Sequence, residues 1–402
     1  MYIRQQPLIS FEDLMGLQPK TKLELIFSQI DLSELVSKVK SCSRRGPKGY
    51  NAAPVIRALF AQTIESIPTR VKLVERLKTD PVFRYVCGFN VVGQVPSEAT
   101  FSRYYTRLNK DGGLRELFDA MVDKAIKLDL VDTETVAIDA TDLTSYERAK
   151  PKTKVDKNNS STPDWGAKFD SHGNMKAWFG WKLHLVVDSE SEIPLDFKLS
   201  PANEADGDYA LPLVDELYQT CQNNDYDLPE NWLMDSGYDR TNIYEEIHHE
   251  YDGQALIPIN KRNAKTPPAG FHDFKGTPKC SAGYKMVYWG CEKNFNKFRC
   301  PHVLGRVDCP HGSNWCSDSN YGYVKKTRIK NNPRYISTPH RGSKNWVKTY
   351  NKRTSVERCF GRLKDNFNLN NIKVMGAEKV KTHILINLIA MIASKLAIES
   401  VN

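Results

Sequence analysis

The feature that most constrains the fold is a change of sequence pattern at Thr135. Before it, apolar residues recur at three-to-four spacing across residues 23–130, which is typical of helices packed on a core. After it, short apolar runs bounded by polar residues indicate strands. The runs that predict strands are residues 136–139, 181–187, 193–199, 232–234 and 254–259.

Strands that alternate with a helix at residues 205–218 predict a mixed sheet with helices on its faces, so the fold class is α/β. Periodicity then fails, because residues 261–345 are rich in Gly, Pro, Lys and Cys, and helical spacing returns at Trp346. We interpret the irregular segment as an insertion between the last core strand and a helix. The predicted domains are a helical N-terminal DNA-binding domain (1–130), a core (131–260), the insertion (261–345) and the rest of the core (346–402).

Charge is concentrated late in the chain. The 402 residues carry a formal net charge of +9, and residues 321–364 contain thirteen Lys or Arg but a single acid, Glu357. Aromatic residues, among them Trp346, run through the same stretch. Cations interleaved with rings suit a nucleic-acid groove, so we assign Trp346 to DNA contact. The alternative is a solvated basic surface.

Nothing in the sequence favours a membrane. The first 17 residues have no continuous apolar core, and residues 382–398 are interrupted by His383, Asn387 and Lys395. Nine cysteines in such a chain indicate thiols or metal ligands in preference to disulfides. We therefore expect a soluble, cytoplasmic protein.

Four side chains form a stripe near the C-terminus: Tyr350, Arg353, Glu357 and Lys364. At about 100° per residue, their offsets of 3, 7 and 14 place them within about 60° on a helix surface. A carboxylate flanked by two cations suits a metal ligand held beside DNA phosphates. An ordinary salt-bridged helix face is the alternative.

Two further acids lie at predicted strands. Asp139 interrupts an apolar strand, where an unpaired charge is costly. Asp235 closes another strand, although it could instead cap the helix that follows. Together with Glu357 they could hold two Mg²⁺ ions for phosphoryl transfer. Asp142, just past the expected strand end, is the alternative to Asp139 as a ligand.

The spacing Tyr350-x2-Arg353-x3-Glu357-x6-Lys364 resembles the Tyr-Arg-Glu-Lys signature of DDE transposases from bacterial insertion sequences. Ile-Asp-Ala-Thr at Asp139 and Asp-Ser-Gly-Tyr at Asp235 are similar to the first two acids of that family's triad. The flanking Trp-Lys-Leu-His-Leu (181–185) and Pro-Ala-Asn-Glu-Ala-Asp (201–206) stretches, and the N-terminal helical segment, resemble the same family.

This resemblance implies a ribonuclease-H-like catalytic core. It implies that Asp139, Asp235 and Glu357 are catalytic residues and ligands of two Mg²⁺ or Mn²⁺ ions. It also implies that Tyr350, Arg353 and Lys364 contact DNA phosphates beside the cut. A catalytic role for His184, in the flanking Trp-Lys-Leu-His-Leu stretch, is not expected.

For the first contact with DNA, we consider the predicted helix after Ser97. Thr100, Arg103 and Arg107 share one face, whereas Phe101, Tyr105 and Leu108 share another. This arrangement resembles the second helix of a helix-turn-helix, with Arg103 and Arg107 directed at DNA. A basic surface helix would show the same pattern.

The insertion contains a cluster of cysteines, of which Cys280, Cys300, Cys309 and Cys316 are the candidate zinc ligands. Structural zinc takes four Cys or His ligands and could order a segment too polar to form its own core. The spacings match no standard zinc finger, so a group of reduced thiols is the alternative.

We therefore expect a transposase that binds the ends of an insertion sequence, cuts phosphodiester bonds and joins the 3′-hydroxyl ends to target DNA. Its expected partners are double-stranded DNA and a second copy of itself, with no membrane. Two alternatives stay open. One is a structure-specific nuclease, and the other is a non-catalytic DNA-binding protein derived from a transposase.

Overall fold

The computed structural model shows two compact units formed from interleaved parts of the chain. The first, called the helical unit, comprises Met1–Asp123, Asp365–Asn371 and Lys381–Asn402. The second, called the sheet unit, comprises Lys124–Lys364 and Ile372–Val380. The structure describes residues 9–39, 49–149, 162–169, 172–262, 264–292, 295–312 and 314–400.

The described helices are numbered in chain order. They are α1 (Phe11–Gly16), α2 (Lys22–Phe27), α3 (Ser33–Val39), α4 (Ala52–Ile64), α5 (Arg70–Thr79), α6 (Pro81–Val86), α7 (Glu98–Arg107), α8 (Gly113–Lys127), α9 (Ala210–Asn224), α10 (Thr241–His249), α11 (Lys344–Asn351), α12 (Thr354–Asn366) and α13 (Ala377–Glu399). Helices α1 to α7, with most of α8 and α13, belong to the helical unit. The helical pattern expected before Thr135 is therefore present.

Local chemistry explains where several of these helices begin. Thr21 and Glu24 form a reciprocal capping box at α2, which satisfies backbone N–H groups that have no partner in the first turn. Asp80 caps α6, and Pro81 occupies its first turn, where no N–H is needed. Helix α4 is buried on nearly every side, so it lies at the centre of the helical unit's core.

Helix α7 has the apolar face that the sequence predicts, because Phe101, Tyr105 and Leu108 are buried. Arg103 and Arg107 are exposed on the other side. Thr100 shares a side of the helix with Arg103, as predicted, because the Arg103 guanidinium donates a 3.2 Å hydrogen bond to its hydroxyl. The Thr100 side chain itself is buried, and its hydroxyl also lies 3.2 Å from the Ser97 hydroxyl at the helix start.

The last helix, α13, has the length and hydropathy to cross a membrane, but 72% of its most apolar window is buried inside the protein. Such burial is typical of the core helix of a folded unit. From Lys381 onwards the helix belongs to the helical unit. The sequence had assigned the whole of residues 346–402 to the core with the sheet, and this part of the assignment is wrong. Apolar periodicity identifies a buried face but not the unit that covers it.

The described strands are β1 (Thr135–Thr144), β2 (Asp164–Phe169), β3 (Met175–Asp188), β4 (Pro194–Pro201), β5 (Asn231–Leu233), β6 (Gln254–Leu256), β7 (Val287–Glu292), β8 (Phe295–Arg299) and β9 (Val324–Thr327). The first six form one sheet in the order β2-β3-β1-β5-β6, with β4 also paired to β3. Strand β3 is antiparallel to β1, β2 and β4, whereas β1, β5 and β6 run parallel. The predicted mixed α/β architecture is confirmed.

The insertion has more order than its sequence suggests. Strands β7, β8 and β9 form a separate antiparallel sheet that the irregular composition did not reveal. One connection to the main sheet is an ion pair, in which the guanidinium of Arg334 donates two hydrogen bonds, of 3.0 and 2.8 Å, to the carboxylate of Asp239. The Asp239 side chain is fully enclosed.

The Asp239–Arg334 pair generates a prediction about stability. The Asp239 side chain is 0% exposed and that of Arg334 is 22% exposed. Removing Arg334 would therefore leave a fully buried carboxylate without its cation. For this reason we expect Arg334→Ala to lower the free energy of unfolding by about 3–5 kcal/mol. Asp239→Ala should cause a loss of similar size, because it also removes the acceptor of hydrogen bonds from Asn260 N and the Tyr244 hydroxyl. Urea unfolding measures both.

Lys198→Ala is the matched control, because it breaks a more exposed ion pair with Glu216 in the same unit. Lys198→Ala should lower the free energy of unfolding by less than about 1 kcal/mol. Equal losses in all three variants would contradict the role given to the buried pair.

Candidate active site

Strand register places Asp139 beside Asp235. Strands β1 and β5 are parallel, and Ala137 pairs with Leu233. Each acid follows two residues later on its own chain segment, so both lie at the same level at the carboxyl end of β5. Adjacent strands are about 4.8 Å apart, which brings the two carboxylates into one neighbourhood.

The sequence predicted that the stripe from Tyr350 to Lys364 lies on one continuous helix, but the structure divides it between two helices. Helix α11 ends at Asn351 and α12 begins at Thr354. Between them the chain makes a tighter turn, in which Arg353 N donates to Tyr350 O at 2.9 Å. Arg353 therefore lies in the turn, Tyr350 on α11, and only Glu357 and Lys364 on α12.

Arg353 joins two of the three predicted acids. One guanidinium nitrogen lies 3.4 Å from Oδ2 of Asp139, and the other donates a 2.6 Å hydrogen bond to Oε1 of Glu357. The side chains of Arg353 and Asp139 are 16% and 21% exposed, whereas that of Glu357 is 52% exposed, so the bridge is enclosed at Asp139 and open to water at Glu357. Arg353 thus joins Asp139 to Glu357. Asp235 lies beside Asp139 on the neighbouring strand.

Lys364 reaches the same strand one level further on. Its Nζ donates a 2.6 Å hydrogen bond to Oγ1 of Thr141. Side chains two residues apart on a strand share a face, so Thr141 and Asp139 point the same way. Arg353 and Lys364 together dock the α12 segment across one face of β1.

The charge state of Asp139 is strongly perturbed. Burial, together with the negative charges of Asp235 and Glu357, raises the pKa of its carboxyl to about 7. A 2.8 Å hydrogen bond from the Ala140 backbone and the charge of Arg353 oppose the rise. Perturbed acids of this kind concentrate at functional sites.

Asp235 has the structural role that was considered as the alternative, and it also lies at the site. Its Oδ1 accepts a 2.7 Å hydrogen bond from Gly237 N and so caps a short 3₁₀ turn. The second carboxylate oxygen is not used by this cap. The cap therefore orients the side chain without excluding it from ligand binding.

Asp142 lies on the wrong face to replace Asp139. The sequence predicted that Asp142 lies just past the end of the strand. Strand β1 in fact continues to Thr144, so Asp142 lies inside it. An odd number of residues separates it from Asp139, and their side chains point to opposite faces. Asp142 pairs there with Lys168 and Lys176.

His184 is also on the face opposite Asp139, since it pairs in register with Ala140. Its Nε2 lies 2.8 Å from the Ser200 hydroxyl, and its ring stacks on Tyr209 with centroids 4.4 Å apart. Burial lowers the pKa of His184 to about 4. A neutral, enclosed imidazole of this kind is a packing residue.

Trp346 does not present its ring to solvent. It is 5% exposed and stacks on Tyr350 at 4.9 Å between centroids. Helix α11 turns this ring inward in the free protein, and the contact of Trp346 with DNA stays a prediction. Trp346 instead supports Tyr350, whose ring is half-buried beside Arg353.

In the insertion, two cysteines open matching turns. Gly283 N donates to Cys280 O at 2.9 Å, and Gly312 N donates to Cys309 O at 3.0 Å. A hydrogen bond of 3.4 Å from the Tyr284 hydroxyl to Asp308 O connects the two turns.

Cys300 and Cys316 complete the predicted set. His302, two residues after Cys300, accepts a 3.2 Å hydrogen bond from Cys309 N. Burial and the neighbouring Cys300, Cys280 and Cys309 raise the pKa of the Cys316 thiol. None of the eight cysteines in the described ranges forms a disulfide. The thiols of Cys280, Cys300 and Cys309 are within electrostatic reach of the Cys316 thiol.

A metal ion in either of these two places would need several His, Cys, Asp or Glu side chains close together. Among the residues that the structure describes, no group of three or more His, Cys, Asp or Glu side chains is arranged to hold a metal ion. At the triad, carboxylate oxygens are the ligands that Mg²⁺ prefers, and Arg353 supplies positive charge between two of them. The donors fit a divalent ion in kind, provided that Arg353 withdraws.

The raised pKa of Asp139 predicts a pH dependence of stability. From about pH 4 to pH 7 the folded protein holds a proton on Asp139 that the unfolded chain has lost. The free energy of unfolding therefore falls as pH rises through this window. Asp139→Asn should remove the dependence and be more stable than wild type at pH 8, by at least about 1 kcal/mol.

Urea unfolding at pH 5 and pH 8, in a chelator, measures the difference between the two proteins. Parallel losses of stability in wild type and Asp139→Asn would contradict the perturbed state of this carboxyl.

Comparison with known proteins identifies the family. Residues 131–393 match the family described as Transposase DDE domain, and residues 12–107 match Transposase domain (DUF772). No curated protein matches the chain. Among solved structures, the cryo-EM structure of a piggyBac transposase synaptic complex with hairpin DNA is similar at 11% identity, with a TM-score of 0.42, over 94% of this chain and 75% of that chain. So low a TM-score leaves the assignment to the family match. Because the DDE domain covers more than half of the 402 residues, the chain belongs to the family of transposases with a DDE domain.

Proposed function

We propose that this transposase cleaves phosphodiester bonds at the ends of an insertion sequence and joins the freed 3′-hydroxyls to target DNA. The observation that supports this most is the Arg353 bridge between Asp139 and Glu357, with Asp235 on the neighbouring strand. A bacterial origin within the Tyr-Arg-Glu-Lys subgroup follows from the spacing of the stripe.

We further propose that the main sheet is a ribonuclease-H-like core. Its support is the topology, in which antiparallel strands β4, β3 and β1 are followed by parallel strands β5 and β6. An acid inside β1, a second acid just past the carboxyl end of the adjacent parallel strand β5, and a third acid on a covering helix suit such a site.

Asp139, Asp235 and Glu357 would hold two Mg²⁺ or Mn²⁺ ions. When bound, such ions activate the attacking oxygen and stabilise the leaving one. Asp139 must be ionised to act as a ligand, so metal binding would release the proton that its raised pKa retains in the metal-free protein. Arg353 would exchange its carboxylate partners for a DNA phosphate, which a guanidinium can grip with two hydrogen bonds.

The proposed partner is double-stranded DNA, both transposon ends and target. Tyr350 and Lys364 would contact the strand beside the cut, while Arg103 and Arg107 on exposed positions of α7 would make first contact in a DNA-binding domain. Action as a homodimer in the cytoplasm, with no membrane, completes the proposal.

Replacing the acids tests the catalytic proposal. Asp139→Ala, Asp235→Ala and Glu357→Ala should each reduce cleavage of end DNA by at least about 10³-fold, because each removes a metal ligand. DNA binding should change by less than about twofold. The assays are cleavage and strand transfer on labelled end DNA, with a gel-shift for binding.

Asp142→Asn is the matched control, an acid on the same strand but the opposite face, and it should cut normally. Cleaved DNA without joined product would identify the structure-specific nuclease. Binding without any cleavage by wild type would identify the non-catalytic DNA-binding protein.

For the insertion, we propose structural zinc on Cys280, Cys300, Cys309 and Cys316. The supporting observations are the two connected cysteine turns and the proximity of the Cys280, Cys300 and Cys309 thiols to that of Cys316. The thiols would have to move closer to share one ion. Residues 301–323 contain no described helix or strand, so a metal would supply the order that a core does not.

Elemental analysis should find about one zinc per chain. Cys309→Ser should lose it, and Cys291→Ser, which changes an exposed cysteine outside the set, should keep it. Metal-free wild type, or zinc retained in Cys309→Ser, would return the cluster to reduced thiols.

A further inference from the structure

Glu192 is an unusual residue in the turn between β3 and β4. Its side chain is 8% exposed, although it carries a charge. Its backbone φ is 60°, in the left-handed region that glycine favours and other residues enter at a cost. A charged residue held in this conformation, and enclosed as well, needs strong local support.

The turn around Glu192 is built by Asp188. One oxygen of the Asp188 carboxylate accepts hydrogen bonds from the Ser191 backbone N–H, at 2.7 Å, and from the Ser191 hydroxyl. The backbone N–H of Glu192 donates to Asp188 O at 3.1 Å. The turn is therefore rigid, and it presents the Glu192 carboxylate in a fixed position.

That carboxylate receives two arginines from α12. Arg358 Nε donates to one of its oxygens, and Arg362 Nη1 lies 2.6 Å from the other. Four residues separate the arginines, so they are neighbours one turn apart on the helix surface. Both oxygens of one buried carboxylate thus lie within ion-pair distance of arginines on successive turns of a single helix.

The same helix carries Glu357, the residue immediately before Arg358. Adjacent helical residues differ by about 100° in direction, so one side of α12 meets the Glu192 turn while another turns to β1. Arg353 and Lys364 contact β1 near the two ends of α12. The apolar side of α12 is buried as well, with Val356, Cys359 and Leu363 fully enclosed. Glu192 adds a third polar contact to these, at a different angle around the helix, and so restricts the rotation of α12 about its axis.

We propose that Glu192 is a positioning residue, which clamps Arg358 and Arg362 and so sets the direction of Glu357 towards Asp139 and Asp235. The inference rests on the proposed function, because it concerns the ligand geometry of that site. Residues that orient a ligand from outside the site typically change metal affinity or activity by about 10–100-fold when replaced.

The experiment compares Glu192→Gln with Glu190→Gln. Both remove one negative charge from the same turn, but Glu190 is 61% exposed and pairs only with Lys352 at the surface. Glu192→Gln should raise the Mg²⁺ concentration for half-maximal cleavage about tenfold, with end-DNA binding within about twofold of wild type. Glu190→Gln should match wild type in both.

Hydrogen exchange of the α12 amides tests the clamp without relying on catalysis. Exchange should be faster in Glu192→Gln than in Glu190→Gln. Adding Arg362→Ala to Glu192→Gln should change exchange little further, because both substitutions break the same contact between Glu192 and Arg362. Unchanged exchange in Glu192→Gln, or an unchanged Mg²⁺ requirement in an active enzyme, would overturn the clamp. A wild-type protein that never cuts end DNA would sink the proposed function, and exchange would still decide whether the clamp exists.

Discussion

The site depends on one interaction, the bridge that Arg353 makes between Asp139 and Glu357. Without a cation, three carboxylates gathered at a half-buried position repel one another, and burial adds to the cost. Burial and this repulsion together raise the pKa of Asp139. The positive charge of the Arg353 guanidinium offsets the repulsion and at the same time attaches the start of α12 to β1. The arrangement that stabilises the free protein is thus also one that divalent metal and DNA phosphate would replace.

Enclosed carboxylates paired with arginine recur in the sheet unit. Asp239 receives Arg334 from the insertion, and Glu192 receives Arg358 and Arg362 from α12. In each case the acid lies on the framework of the main sheet, and the arginine comes from a segment later in the chain. Part of the basic excess in residues 321–364 therefore holds the fold together and is not free for DNA.

Sequence reasoning reached the architecture because burial and strand ends leave strong local signals. The change at Thr135 predicted the mixed sheet, and acids at strand ends indicated the neighbourhood of Asp139 and Asp235. It failed where the outcome depends on distant partners. The break between α11 and α12, the inward turn of Trp346 and the enclosure of Glu192 depend on segments that meet only in the folded chain. No local pattern marks them.

The central claim is that the carboxylates bridged by Arg353 are a metal site. Crystals of the protein with transposon-end DNA and Mn²⁺, measured for anomalous scattering, test it most directly. The account predicts manganese peaks among Asp139, Asp235 and Glu357, about 2.1–2.2 Å from their oxygens as for other small divalent ions, with Arg353 moved onto a phosphate. Arg353 still bound to Asp139 and Glu357, with manganese absent or elsewhere, would contradict it.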